Sequence, residues 1–112
     1  MPHIIVEHTK VPNLNVKAFL RDLHTNLAAH ETVNISGIKT RSIPIENAAV
    51  GEEMQPNIFI HITLKLLAGR SDELRKTMAE GLFNVAKAHA SDNPDVSISV
   101  ETAELHNASY IK

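Results

Sequence analysis

Four stretches of the chain alternate between apolar and polar residues with a period of two, which is the pattern of a half-buried β-strand. The clearest of them carries an aliphatic residue at every second position from residue 58 to residue 66. The other three are shorter, and each has its own alternating or β-branched run. The pattern predicts strands over residues 2–7, 38–45, 57–66 and 96–101.

Two longer segments carry apolar residues at helical spacing instead. The first covers residues 13–30, and the second begins after Ser71 and continues to His89. Ser71 is a favourable N-cap, and Asp72 and Glu73 follow it in the first turn, where the helix dipole favours acidic groups. The predicted apolar stripes include Phe19, Leu20, Leu23 and Leu27 in the first helix and Leu74, Met78, Leu82 and Val85 in the second.

The order of these elements is β-α-β followed by β-α-β. The halves cover about residues 1–45 and 57–104, with a polar link over residues 46–56, and together they make one domain over residues 1–112. A unit of this kind usually forms a right-handed parallel crossover. We therefore predict an α+β fold, with a four-stranded sheet and both helices on one face.

The second face of this sheet would be semi-polar. Ile5, Ile43 and Phe59 fall on it together with His61 and Lys65. Such a face is too apolar to prefer water and too polar for an ordinary core, so a symmetric oligomer that covers it is predicted. The tail over residues 105–112 lacks helical periodicity, and its Tyr110 and Ile111 suggest that it docks on another surface.

Composition narrows the range of partners. The formal net charge is −2 with no Lys/Arg block, which argues against a nucleic-acid partner. There is no cysteine, no apolar run of membrane-helix length, and no metal-binding spacing among the seven histidines. We expect a cytoplasmic protein without a membrane partner, a metal or a cofactor.

Pro2 is a candidate for chemistry because methionine before a small residue is commonly removed. Removal of Met1 would leave Pro2 as a terminal secondary amine, held in one orientation by its ring at the start of a rigid strand. The plainer interpretation is an ordinary start, since proline is tolerated at the first residue of a strand.

Three cationic residues could bind an anion. Lys39 and Arg41 are two apart on a predicted strand and share a face, although charges there are also typical of a soluble edge strand. Arg70 precedes a helix N-terminus, where an arginine can bind a carboxylate through two parallel hydrogen bonds. The alternative for Arg70 is a surface charge without a partner.

Five stretches of the sequence are informative when they are taken together. They are PHIIVE at residues 2–7, GIKTR at 37–41, FIHITLK at 59–65, AGRS at 68–71 and ETAELH at 101–106. Together they resemble the 5-carboxymethyl-2-hydroxymuconate isomerase family of the tautomerase superfamily, over nearly the whole chain. The resemblance implies the β-α-β repeat and a homotrimer. It also implies Pro2 as the catalytic base and Arg70 as a binder of substrate carboxylates. Lys39 stands where the family has an arginine, and Arg41 matches its second arginine.

The implied reaction is a proton shift on a small unsaturated carboxylate, in which an enol becomes a conjugated ketone without a cofactor. Lysine keeps the positive charge at residue 39 but lacks the planar guanidinium with which arginine makes two parallel hydrogen bonds. The resemblance therefore defines the identity of the substrate less closely than the type of reaction. Two alternatives remain open. One is a non-catalytic trimer that binds anions or serves as an interaction scaffold, and the other is a different proline-dependent reaction.

Overall fold

Both halves form the predicted β-α-β unit in a computed structural model that describes residues 1–52 and 57–112. The strands are β1 (His3–His8), β2 (Lys39–Pro44), β3 (Phe59–Leu67) and β4 (Ser97–Leu105), in the sheet order β2-β1-β3-β4. β1 is parallel to β2, β3 is parallel to β4, and the central pair β1–β3 is antiparallel. The two halves are thus related by an approximate twofold axis through the centre of the sheet. Of the polar link, residues 53–56 lie outside the described residues.

The helices lie together on one face of this sheet, as predicted. They are α1 (Val16–Ala28) and α2 (Asp72–His89). α1 begins three residues later than expected because Asn15 caps it, accepting a hydrogen bond from the Ala18 N–H, and because Asn13 has a positive φ of 65°. None of the helices in the described ranges is long and apolar enough to cross a membrane.

The core lies between the helices and the inner face of the sheet. Even-numbered positions of β1 and β3 point inward, in agreement with the period-two pattern, and they meet the predicted helix stripes. At the edge of this core, His89 Nε2 of α2 lies 2.7 Å from Asp22 Oδ2 of α1. Fully buried side chains include Ile4, Val6, Ile60, Ile62, Leu64, Leu66, Phe19, Leu23, Leu27, Met78 and Leu82.

The end of β4 and a short turn before β2 also differ from the prediction. β4 continues four residues past Glu101, because its register with β3 extends to the pair Leu67–Leu105 even though its alternation fades after Val100. A short 3₁₀ turn, Ile35–Gly37, precedes β2 and was not predicted. The Asn34 side chain caps it by accepting from the Ser36 N–H.

The face opposite the helices is semi-polar, as the sequence indicated. Cross-strand neighbours place Lys39, His3 and Lys65 in one row and Arg41, Ile5 and Thr63 in the next. Further along, His61 lies 2.6 Å from Glu101 and 2.7 Å from Ser99. This face therefore has a cationic end beside the start of β1 and a mixed, hydrogen-bonded centre.

Replacing the N-cap of α2 should lower stability by about 1 kcal/mol. The Ser71 hydroxyl accepts from the Leu74 N–H at 3.1 Å, and Ser71→Ala would leave that donor without its partner. Urea unfolding at fixed protein concentration measures the change. Ser91→Ala, at an exposed turn, is the matched control and should leave the midpoint unchanged.

Candidate active site

Pro2 is buried where the chain enters β1, and the neighbouring strand holds it there. Its carbonyl accepts a hydrogen bond of 3.0 Å from the Lys39 N–H, so the residue is already part of the β1–β2 ladder. The proline nitrogen is therefore fixed relative to the sheet. A chain terminus placed there would have little freedom to move.

Three cations from different parts of the fold act on the amino group at the chain terminus. The pKa of the Met1 amino group lies below its ordinary value because burial disfavours the charged form, and because the charges of Lys112, Arg70 and Lys39 repel a proton. Lys39 begins β2, Arg70 lies between β3 and α2, and Lys112 belongs to the tail. The fold thus brings together two of the cations predicted from the sequence and adds a third.

Arg70 is oriented by the loop that follows α1. Its Nε donates to Thr32 Oγ1 at 3.2 Å, and its Nη2 donates to the Thr32 carbonyl at 2.9 Å. Gly69, with φ 124°, permits the turn that sets this direction. A guanidinium has five N–H donors, so the two contacts with Thr32 leave others for an anion. The alternative of a surface charge without a partner is therefore wrong for Arg70.

Arg41 shares a face with Lys39, as predicted, but its contact is with a histidine. Arg41 Nη1 lies 3.0 Å from His3 Nδ1, and His3 Nε2 lies 2.7 Å from the Tyr110 hydroxyl. The pKa of His3 is lowered, first by burial and then by the charges of Arg41, Lys39, the chain terminus and Lys65. The imidazole is accordingly neutral near pH 7.

Sequence reasoning missed Thr32, His3 and Lys112 as parts of this region. Thr32 gives no signal of its own, because its role depends on a contact with a residue 38 positions away. His3 has no metal-binding spacing to another histidine, and its contacts depend on the distant residues Tyr110 and Arg41. The expectation that the tail docks is confirmed for Tyr110 by its hydrogen bond to His3, whereas Ile111 is exposed.

The opposite end of the sheet offers a cavity but not the same chemistry. There the Ile58 carbonyl accepts from the Ser97 N–H at 3.0 Å, which repeats the Pro2–Lys39 contact across the approximate twofold axis. A cavity of about 820 Å³ lies at this end, lined in part by Ile58, Lys10 and Asp95. At this end Ile58 is equivalent to Pro2, and its nitrogen belongs to an internal amide. The charged residues that line the cavity include both the cationic Lys10 and the anionic Asp95.

Within residues 1–52 and 57–112, no group of three or more His, Asp or Glu residues could hold a metal ion.

The two β-α-β halves give the chain the fold of the tautomerase superfamily. A 5-carboxymethyl-2-hydroxymuconate isomerase from Deinococcus radiodurans R1 superposes with a TM-score of 0.90 at 27% identity, covering 99% of this chain and 87% of that one. A protein described as a fused 4-OT wild-type symmetric trimer superposes with a TM-score of 0.80 at 17% identity, covering 98% and 93%. The second likeness concerns the fold alone.

The sequence defines the family more closely. Residues 2–112 match the family model for 5-carboxymethyl-2-hydroxymuconate isomerase. The chain is also 32% identical to the 5-carboxymethyl-2-hydroxymuconate Delta-isomerase of Escherichia coli over 113 aligned positions, covering 95% of this chain and 88% of that protein. This chain belongs to the 5-carboxymethyl-2-hydroxymuconate isomerase family.

Proposed function

We propose that this chain is an isomerase that shifts a proton on a small unsaturated carboxylate such as 5-carboxymethyl-2-hydroxymuconate, with Pro2 as the general base once Met1 is removed. The observation that carries the proposal is the position of the chain terminus. Burial lowers the pKa of its amino group, and the charges of Lys112, Arg70 and Lys39 lower that pKa further. The family supports the reaction class, and the terminus supports the choice of base.

The base must be unprotonated near neutral pH and still able to return the proton. A free α-amino group titrates near 8, and a secondary amine is more basic, so in water it would be mostly charged. Burial and neighbouring cations both disfavour the ammonium form and lower the pKa. The same two causes act on the Met1 amino group, one residue away. A proline nitrogen there would be available as a base.

The cations serve a second purpose in this proposal. Arg70 retains N–H groups for a substrate carboxylate, and Lys39 offers a single ammonium charge in place of a planar fork. Both also stabilise the negative charge that builds on the substrate oxygen as the proton leaves. Arg41 would contribute to the positive potential of the same end of the sheet.

Met1 occupies space that a substrate would need. Its side chain lies over Gly37, where an added Cβ atom would collide with Met1 Cε. Removal of Met1 would convert the Pro2 nitrogen from an amide to an amine and would open this space at the same time. The absence of a side chain at Gly37 then leaves room beside the proposed base.

The proposal is tested by assaying protein whose intact mass shows that it begins at Pro2. We expect the conversion of a dienol dicarboxylate to its conjugated ketone, followed by ultraviolet absorbance, with kcat/KM rising as pH increases. The sign follows because the unprotonated amine is the active form. The profile should level off above an apparent pKa lower than that of a free secondary amine.

Two outcomes would contradict this proposal. If the processed protein binds such dicarboxylates but converts none of them, the anion-binding alternative replaces the isomerase. A profile that falls as pH rises across this range would require an acid in place of the proposed base.

We also propose that the chain forms a homotrimer, in which the semi-polar face of the sheet is covered. The comparison with a trimeric fused 4-OT is consistent with this assembly. Light scattering at micromolar concentration should give about three times the chain mass of 12.3 kDa. A clean monomer would contradict the packing reason for the trimer.

A further inference from the structure

Hydrogen bonds from Arg41 to His3 and from His3 to Tyr110 have a defined direction. A guanidinium can only donate, so His3 Nδ1, 3.0 Å from Arg41 Nη1, must accept. A neutral imidazole whose Nδ1 accepts carries its proton on Nε2. His3 Nε2 therefore donates to the Tyr110 hydroxyl oxygen at 2.7 Å.

This direction leaves the hydroxyl hydrogen of Tyr110 unused. A tyrosine hydroxyl can accept one hydrogen bond and donate another. The hydroxyl oxygen of Tyr110 accepts from His3. No acceptor for the hydroxyl hydrogen of Tyr110 is found within the described part of the chain. The ring is half-buried and packs edge-on against His3, with centroids 5.8 Å apart, so the free donor is held in place.

Two neighbours connect the Tyr110 hydroxyl with the proposed site. Its partner His3 directly follows Pro2, and the charge of the chain terminus acts on the His3 imidazole. On the other side, Lys112 is two residues beyond Tyr110 and acts on the terminal amine. The Tyr110 N–H donates to the His106 carbonyl at 2.9 Å, which fixes the turn of the tail that presents these residues.

We infer that Tyr110 donates a hydrogen bond to the substrate oxygen that becomes negatively charged during the proton shift. This inference rests on the proposed function. The Pro2 nitrogen takes the proton of the enol O–H, the electron pair of that bond stays on the oxygen of the dienolate, and Pro2 returns the proton to carbon as the C=O bond forms. Tyr110 keeps its own proton throughout.

Arg41 acquires a role of its own in this arrangement. Each group in the series Arg41, His3, Tyr110 donates to the next, and such series polarise the terminal donor. A charge at the start of the series would therefore strengthen the bond from Tyr110 to the substrate oxygen. Arg41 is then a positioning residue that acts through His3, distinct from Arg70, which faces the carboxylate directly.

The test is Tyr110→Phe, which removes the hydroxyl and keeps the ring that packs on His3. We expect kcat to fall by about tenfold to a hundredfold, below the largest losses seen for a buried oxyanion donor, with little change in KM. Ile111→Ala is the control, because Ile111 belongs to the same tail and is 85% exposed. It should retain the wild-type kcat.

A double-mutant cycle separates this role from simple anchoring of the tail. If Arg41 acts through Tyr110, Arg41→Gln should lower kcat in the wild-type background and have little further effect in Tyr110→Phe. An unchanged kcat in Tyr110→Phe, or losses that multiply independently in the double variant, would overturn the inference. Either result could occur in a protein that still depends on Pro2, whereas an inactive wild-type protein would refute the proposed function itself.

Discussion

Protein that retains Met1 should lose the isomerase activity, by at least about a hundredfold, which is the usual scale for removing a general base. Retention places the Pro2 nitrogen in an amide, which has no basic lone pair. It leaves Lys39, Arg70 and the fold unchanged. It also keeps the Met1 side chain over Gly37, where we propose that substrate enters.

The companion variant is Pro2→Ala, which should also lower kcat by about a hundredfold or more. Alanine keeps a terminal amine, but it is primary and less rigid, so some activity can survive. Intact mass must show for each preparation whether Met1 is present. Binding of a non-reactive dicarboxylate, measured by calorimetry, separates loss of the base from loss of the site. Equal rates with and without Met1 would eliminate the proline mechanism.

Arg70→Ala should cost about 2 to 4 kcal/mol in transition-state stabilisation, the range found when one preorganised donor is removed. This corresponds to a loss of roughly 30-fold to nearly 1,000-fold in kcat/KM. Both KM and kcat should worsen, because the guanidinium meets the substrate carboxylate in the ground state and the developing charge later. Steady-state kinetics on a dicarboxylate substrate provides the measurement.

Arg75→Ala is the matched control for this change. Arg75 lies one turn into α2 and pairs with Asp72 and Glu104. It is not among the cations whose charges lower the pKa of the terminal amine. It should keep normal kinetics. Arg70 would be excluded from the site if its variant and the Arg75 variant behaved alike on every dicarboxylate tested.

The fold was predictable because alternation and helical spacing define which side chains must be buried together. The aliphatic residues at every second position of β3 left no choice of inner face, and the stripes of α1 and α2 covered that face. The ends of elements were less predictable. The last residues of β4 are held by pairing with β3 and not by hydrophobicity, and the start of α1 depends on a single Asn15 cap.

The candidate site was predictable in part. Lys39 and Arg70 come near Pro2 because the β-α-β topology brings the starts of β1 and β2 and the end of β3 to one end of the sheet. The contacts of Arg41 and Tyr110 with His3 join residues 38 and 107 positions apart. A single sequence contains no pattern for such pairs. The pairs follow from strand register and from the path of the tail.

The approximate twofold axis of the sheet has a consequence for the number of reactive groups. The fold presents two equivalent corners, one at Pro2 and one at Ile58, and both carbonyls receive the same backbone hydrogen bond. A polypeptide has only one amino terminus, so a terminal amine can occupy one corner and not the other. The number of terminal amines is thereby set by the connectivity of the backbone. An assembly holds as many such amines as it has chains, however symmetric its sheets are.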